Sequence, residues 1–211
     1  MKKIQILIDN KNSWIIPYAE SYCEKINQFG YICKIIYSHK DVEMGDVIIL
    51  LSCEKKFNEL SKNKYNIVVH ESDLPQGKGW SPLTYQVLEG KNEIPITLFE
   101  ASNDIDTGYI YFKDLIKLNG SELVDELREK QSKKTFELVD RFLNSYDKSV
   151  AHKQEGEETF YRRRDASSSR LDINKTIKDN FNLLRVVDNQ KHPAFFIYKN
   201  QKYVLKIHKD G

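Results

Sequence analysis

A histidine ending an apolar run, a Leu-Pro ending five positions on, a glycine nine on and an aspartate thirty-six on are the residues of this chain best suited to chemistry. They are His70, Leu74-Pro75, Gly79 and Asp106, the last in Ile-Asp-Thr-Gly. An imidazole, with an ordinary pKa of ~6.5, can take or give a proton near neutral pH. A carboxylate brought beside it would orient the ring and favour its charged form. Between the two, Gln76 to Gly79 supplies backbone freedom and one cation, Lys78, where an anionic ligand could lie. Cys53 has no basic partner beside it in sequence and is not read as a nucleophile.

These residues need elements to hold them. Asn66 to Val69 reads as a strand inside a sheet that delivers His70 at its carboxyl end, where open α/β sheets bind ligands. Ahead of it, Ile4 to Ile8 reads as a first strand. Trp14 to Phe29 reads as a helix with Ser13 as N-cap and Gly30 as its stop, Tyr31 to Tyr37 as a second strand and Asp46 to Leu51 as a central third one. Ser52 to Lys56 then forms the loop at that strand's carboxyl end. Beyond the Gly-rich loop, Ser81 caps a helix from Leu83 to Glu89, and Pro95 to Glu100 and Gly108 to Leu118 are strands. Ser121 to Ser145 is an amphipathic helix with Leu123, Leu127, Phe136, Val139 and Leu143 on or near one face. The polar stretch from Asp147 to Gly156 marks a boundary between a core of residues 1–150 and an extension of residues 151–211. The extension holds a helix near Ile173 to Val187 and a hairpin of Phe195 to Lys199 and Tyr203 to Ile207 about Asn200-Gln201. The fold class is α/β: a Rossmann-like, doubly wound, mostly parallel sheet with a small α+β C-terminal extension ending in a β-hairpin.

The chain has 211 residues, 40% of them hydrophobic, enough for one sizeable domain with a small appendage. Lys plus Arg at 33 against Asp plus Glu at 31 leaves +2, without the basic stripe of a nucleic-acid binder. The acidic Asp9 interrupts the first apolar run, which argues against a signal peptide, and no run reaches the ~18 apolar residues of a membrane span. Cys23, Cys33 and Cys53, odd in number and widely spaced, suit reduced thiols in a cytoplasm. No metal centre is expected.

The pattern of His70, Leu74-Pro75, the Lys78-Gly79 step and Asp106 resembles the folate-dependent formyltransferases, over roughly Ile4 to Ile116. Phe160-Tyr-Arg-Arg-Arg164, Leu171-Asp-Ile-Asn174, Phe181-Asn-Leu-Leu-Arg-Val-Val-Asp188 and Pro193-Ala-Phe-Phe196 are similar to the C-terminal extension of its sugar N-formyltransferases. One position departs: Val68 stands where the family has asparagine, an oxyanion donor, so another donor replaces it or the oxyanion relies on His70 and water.

The resemblance implies transfer of formyl from N10-formyltetrahydrofolate to the amine of a nucleotide-linked amino sugar, UDP rather than dTDP. It implies catalysis by His70 and Asp106 and folate contacts from Leu51, Ser52, Cys53, Asp104 and Ile105. Lys78, Gly79, Trp80, Arg163 and Phe196 would meet the sugar nucleotide, and the extension could pair two subunits. No nucleic-acid or membrane partner is implied, about 55 residues after Gly156 being too few for a tRNA-binding domain. Val68 leaves two further readings: a formyl-folate hydrolase, or a binding module that holds folate or nucleotide sugar without chemistry.

Overall fold

The computed structural model describes residues 2–145 and 148–210; the first residue of the expected boundary loop, Asp147, lies outside them. A six-stranded sheet runs through the molecule in the order β2-β1-β3-β4-β6-β7, with β1 Lys3–Leu7, β2 Ile32–Ile36, β3 Gly45–Leu50, β4 Asn63–His70, β6 Glu93–Glu100 and β7 Ile110–Lys117. Parallel pairing joins β1 to β2, β1 to β3 and β3 to β4. β6 is antiparallel to both β4 and β7, so it alone of the six runs against the others. The sheet is mostly parallel and Rossmann-like; Val47 to Leu51 reads as a strand covered on both faces, and in β1 the buried polar Gln5 donates to Asn63 at 2.9 Å.

The two faces are covered differently. Ile4, Ile6, Val47, Ile49 and Ile67 pack with α1 (Ile16–Gln28), α2 (Pro82–Leu88) and α3 (Val124–Ser145) into one cluster, where Leu127, Phe136, Val139 and Leu143 of α3 are buried as the period implied. Leu123 is only partly buried. Tyr22 of α1 stacks on Phe136 of α3 at 4.3 Å and donates to Asp140 at 2.7 Å, fixing the helix pair. On the other face Leu7, Ile36, Ile48 and Leu50 meet Val42 and Phe57, from connections too short and polar to make a full helix.

α1 and α3 start later than the sequence reading, and α2 one residue earlier, at Pro82. Ser13 does not cap α1; its amide turns back to Asn10, and the N-cap is Ile15 with Pro17 in the first turn. Ser81 makes no capping bond to α2 and sits at φ 50°. α3 begins at Val124 because the Glu122 carboxylate is spent on the amides of Asn119 and Gly120 in the preceding turn.

The extension contributes β8 (Phe160–Tyr161), α4 (Ile177–Val186), β9 (Ala194–Tyr198) and β10 (Gln201–Leu205). α4 starts at a Thr176/Asp179 capping box, later than Ile173. The hairpin turns at Lys199-Asn200, both in the left-handed region, one residue ahead of the expected turn. β8 pairs in parallel with β5 (Lys78–Gly79), so the extension adds a strand to the Gly-rich loop. Arg185 of α4, 1% exposed, reaches Glu122 at 3.2 Å and closes the contact with the core.

Candidate active site

A cleft of about 820 Å³ opens at the carboxyl ends of β1, β3 and β4, where the strand order reverses about β1. Its walls are the turn after β1, the loop after β3, Val68 to Glu71, Gly79 to Thr84, the loop Ala101 to Asp106, one side of α3 and the extension from Phe160 to Lys191.

β4 ends in the cleft with His70, 8% exposed. The Nε2 hydrogen is donated to the Gly77 carbonyl at 2.9 Å, and in the neutral ring this leaves the acceptor lone pair on Nδ1. The Asp106 carboxylate lies 3.8 Å from the same nitrogen, too far for a hydrogen bond but within ion-pair reach of a protonated ring. Its Oδ2 accepts the Gly79 amide at 2.9 Å. His70 and Asp106 lie side by side, and the hydrogen bond that orients the ring goes to the Gly77 carbonyl.

Asp106 arrives on a loop because β6 runs away from the cleft and the chain must double back. Gln154 donates to the carbonyls of Asp106 and Gly108 at 2.9 Å each, and Ser102 and Thr107 both donate to the Asp104 carbonyl. Gly108 is required there, since a Cβ would stand 1.5 Å from the Glu100 carbonyl oxygen.

Asp9 was missed in the sequence reading and organises the opposite wall. Its carboxylate accepts the amides of Glu54 at 2.7 Å and Lys55 at 2.9 Å and meets His39 at 3.0 Å, fixing the loop after β3. Burial works to raise its pKa, but the Glu54 amide, His39 and the Lys55 amide together hold it below the ordinary carboxylate value. A polar residue just past an apolar first strand was the available signal. In the loop so fixed, Leu51, Ser52 and Cys53 all line the cleft, as do Asp104 and Ile105 across from them. Burial pushes the Cys53 thiol up to about 12, which leaves it inert at neutral pH.

Of the residues expected to meet a sugar nucleotide, Gly79, Trp80 and Arg163 line the cleft. The Arg163 guanidinium sits 4.5 Å from the Trp80 ring centroid and pairs with Glu54 at 3.0 Å, bridging the extension to the loop after β3. Lys78 and Phe196 are not brought there. Lys78 was expected on a surface loop; it is 0% exposed, and its ammonium is bound to Glu158 at 2.6 Å because β5 is covered by β8. Phe196 stacks on Tyr203 at 5.3 Å within the hairpin. Asn66 also stays out, its amide donating to the Leu60 carbonyl at 3.0 Å, so it does not stand in for an asparagine at Val68. Val68 packs beside Leu74, Phe99 and Ile110.

The arrangement presents a histidine with a fixed ring, a nearby carboxylate and a cleft of mixed lining, with charged side chains such as Glu54, Lys55, Arg128 and Arg163 beside apolar ones such as Leu50, Val68 and Phe99. It suits proton transfer to or from a group bound at the His70 end. Among the described residues no helix is long and apolar enough to cross a membrane.

No protein-family model matches the chain. In sequence it is similar to the methionyl-tRNA formyltransferase of Finegoldia magna, 26% identical over 158 residues that make up 74% of this chain and 50% of that protein. It is 28% identical to that of Halothermothrix orenii over 67% of this chain and 45% of that one. The chain thus spans about half the length of the curated relatives it matches. Among solved structures it is similar to methionyl-tRNA formyltransferase from Clostridium thermocellum, with TM-score 0.83 and 23% identity over 100% of this chain and 94% of that one. A likely sugar N-formyltransferase from Mycobacterium tuberculosis follows at 0.76 and 18%, over 100% and 99% of the two chains. HypX from Aquifex aeolicus, in complex with tetrahydrofolic acid, matches at 0.75 and 17%, over 98% of this chain and 37% of its own. The fold of this chain is the formyltransferase fold, and its sequence is similar to that family.

Proposed function

We propose that this protein transfers a formyl group from N10-formyltetrahydrofolate to the amine of a nucleotide-linked amino sugar. The observation that carries the reading is the meeting of His70, Asp106 and the Gly77 carbonyl at one end of a cleft whose outer wall is built by the extension. The cleft's volume of about 820 Å³ is of the size that takes a cofactor-sized ligand. The backbone of Leu51 to Cys53 and of Asp104 to Ile105 would hold the folate's pteridine, with the formyl group toward His70. In the reaction the amine nitrogen attacks the formyl carbon, the bond from that carbon to N10 breaks, and the amine's proton passes through His70 to N10. Holding both reactants supplies much of the rate, up to ~7 kcal/mol or more in favourable intramolecular cases.

A sugar acceptor is supported by the extension, which brings Trp80 and Arg163 together over the cleft, and by whole-chain likeness to a protein described as a likely sugar N-formyltransferase. The preferred acceptor is a UDP-linked 4-amino-4,6-dideoxy sugar, in particular UDP-4-amino-4,6-dideoxy-N-acetyl-L-altrosamine of the pseudaminic acid pathway. Action is in the cytoplasm, with a homodimer formed through the extension. Methionyl-tRNA is the second reading, favoured by the names of the sequence relatives. Purified protein given the formyl donor and UDP- and dTDP-linked amino sugars should yield products heavier by about 28 mass units, one CO. Unchanged sugars with formylated methionyl-tRNA would move the assignment to the second reading. Tetrahydrofolate released without any acceptor would make the protein a hydrolase, and ligand-induced thermal stabilisation with no release would make it a binding module.

A further inference from the structure

Directly after His70, the chain places another carboxyl in the same cleft. Glu71 is 9% exposed and lines the wall between the end of β4 and α3. Its backbone is held by the Gln86 amide, which donates to the Glu71 carbonyl at 2.6 Å, so the residue cannot swing out with the loop. Its carboxylate accepts hydrogen bonds from the Gln131 side chain of α3 and from its own backbone amide, and His70 and Asp106 are within electrostatic reach. Among the described residues no lysine, arginine or histidine comes within ion-pair distance of it. Arg128, the cation on the same wall of α3, is committed to Asp188 at 2.8 Å and Asp125 at 3.6 Å. This carboxyl is buried with hydrogen-bond partners but no cation of its own, and a cationic ligand in the cleft would supply the missing charge.

We propose that Glu71 binds the ammonium of the acceptor and takes its proton, delivering a neutral amine beside His70. The inference rests on the amine-formylation reading above and assigns a residue that reading leaves idle. An amine is nucleophilic only without its extra proton. In the transfer an N–H bond breaks, an O–H bond forms on the Glu71 carboxyl, and the electron pair stays on nitrogen for attack on the formyl carbon. Burial raises the carboxyl's pKa, with His70 the leading opposing influence, and the same desolvation lowers that of an ammonium set against it. Both shifts favour the neutral, hydrogen-bonded pair. His70 is then free for the proton that leaves nitrogen later, on collapse toward N10.

The test compares two ligands on wild type and Glu71→Gln: the UDP-4-amino-4,6-dideoxy sugar and the same compound with a hydroxyl in place of the amine. By calorimetry the wild type should bind the amine at least ~10-fold tighter, and the variant should bind the two within twofold while keeping wild-type affinity for tetrahydrofolate. In turnover, Glu71→Gln should lose ~10²-fold in kcat/KM, as removal of a proton acceptor does, and Glu71→Asp should recover part of the loss. Equal affinity of the wild type for amine and hydroxyl overturns the proposal without any variant. So does a Glu71→Gln enzyme with unchanged kcat/KM, in which case the transferase reading stands alone. If the wild type prefers the amine and the variant does not, yet no sugar is formylated, the carboxylate assignment holds and the reaction assigned above fails.

Discussion

At His70 the ring is held by a carbonyl, and the carboxylate waits at 3.8 Å. At that distance the carboxylate is placed to meet a positive charge formed on the ring during the reaction. His70→Asn should lower kcat by ~10²–10⁴-fold with little change in folate affinity, measured by steady-state turnover and ligand titration. Asp106→Ala removes the acceptor of the Gly79 amide as well as the anion, and should lower kcat to a similar degree while also loosening the Gly-rich loop. Val68→Asn introduces a side-chain donor two residues before His70 on β4. If the oxyanion lacks a donor, the rate should rise by up to ~10²-fold. A fall in rate would show instead that the apolar contact of Val68 with Leu74, Phe99 and Ile110 matters more.

At the scale of the element, the loop after β3 and the Gly-rich loop are the parts to disturb. Asp9→Asn weakens the acceptor for the Glu54 and Lys55 amides, and should raise the KM for the formyl donor by ~10-fold with kcat nearly unchanged. Gly79 sits at φ +93° with Tyr161 oxygen 2.5 Å from where a Cβ would lie. Gly79→Ala should therefore cost ~2 kcal/mol or more and lower Tm by roughly 4–8 °C, checked by thermal melts. The sequence made β4 and His70 legible because Ile67, Val68 and Val69 in a row have few homes other than an inner strand. Asp106 was legible through its spacing from His70. Lys78 was not: a lysine between two glycines looks solvated, and the strand that buries it comes from Phe160, eighty-two positions away. Glu71 was passed over for the same reason: a glutamate in a polar loop looks solvated, and its partner Gln131 comes from a helix sixty positions on.

Across the whole molecule, the joint between core and extension carries a buried ion pair. Glu122 and Arg185 are each about 1% exposed and 3.2 Å apart. Arg185→Met should cost about 3 kcal/mol by leaving that side of the carboxylate unpaired, read from denaturant unfolding. Burial works to raise the Glu122 pKa, but the amides of Asn119 and of Glu122 itself, Lys130 and the Gly120 amide hold it at about 2. Burial likewise opposes the Lys191 amide, Arg128 and the Gln190 amide, which hold Asp188 at about 2. Both values are depressed below the ordinary 4.5 and 3.8, so the stability they give is whole above about pH 4.5 and drains as pH falls toward about 2. Melting temperature should fall over that window, and Glu122→Gln should flatten the slope. The pairing of β5 with β8 has a consequence for how the protein comes into being. The Gly77 amide is bound to the Thr159 hydroxyl and the Lys78 amide to the Thr159 carbonyl, so the loop that supplies the partner of His70 takes its shape only against a segment made much later in synthesis. A ribosome-bound chain still short of that segment would carry His70 and Asp106 without the shaped loop between them. Two separately expressed pieces, divided between Ser149 and Gly156, should for the same reason be silent apart and active together, a built-in reporter for whatever brings their carriers into contact.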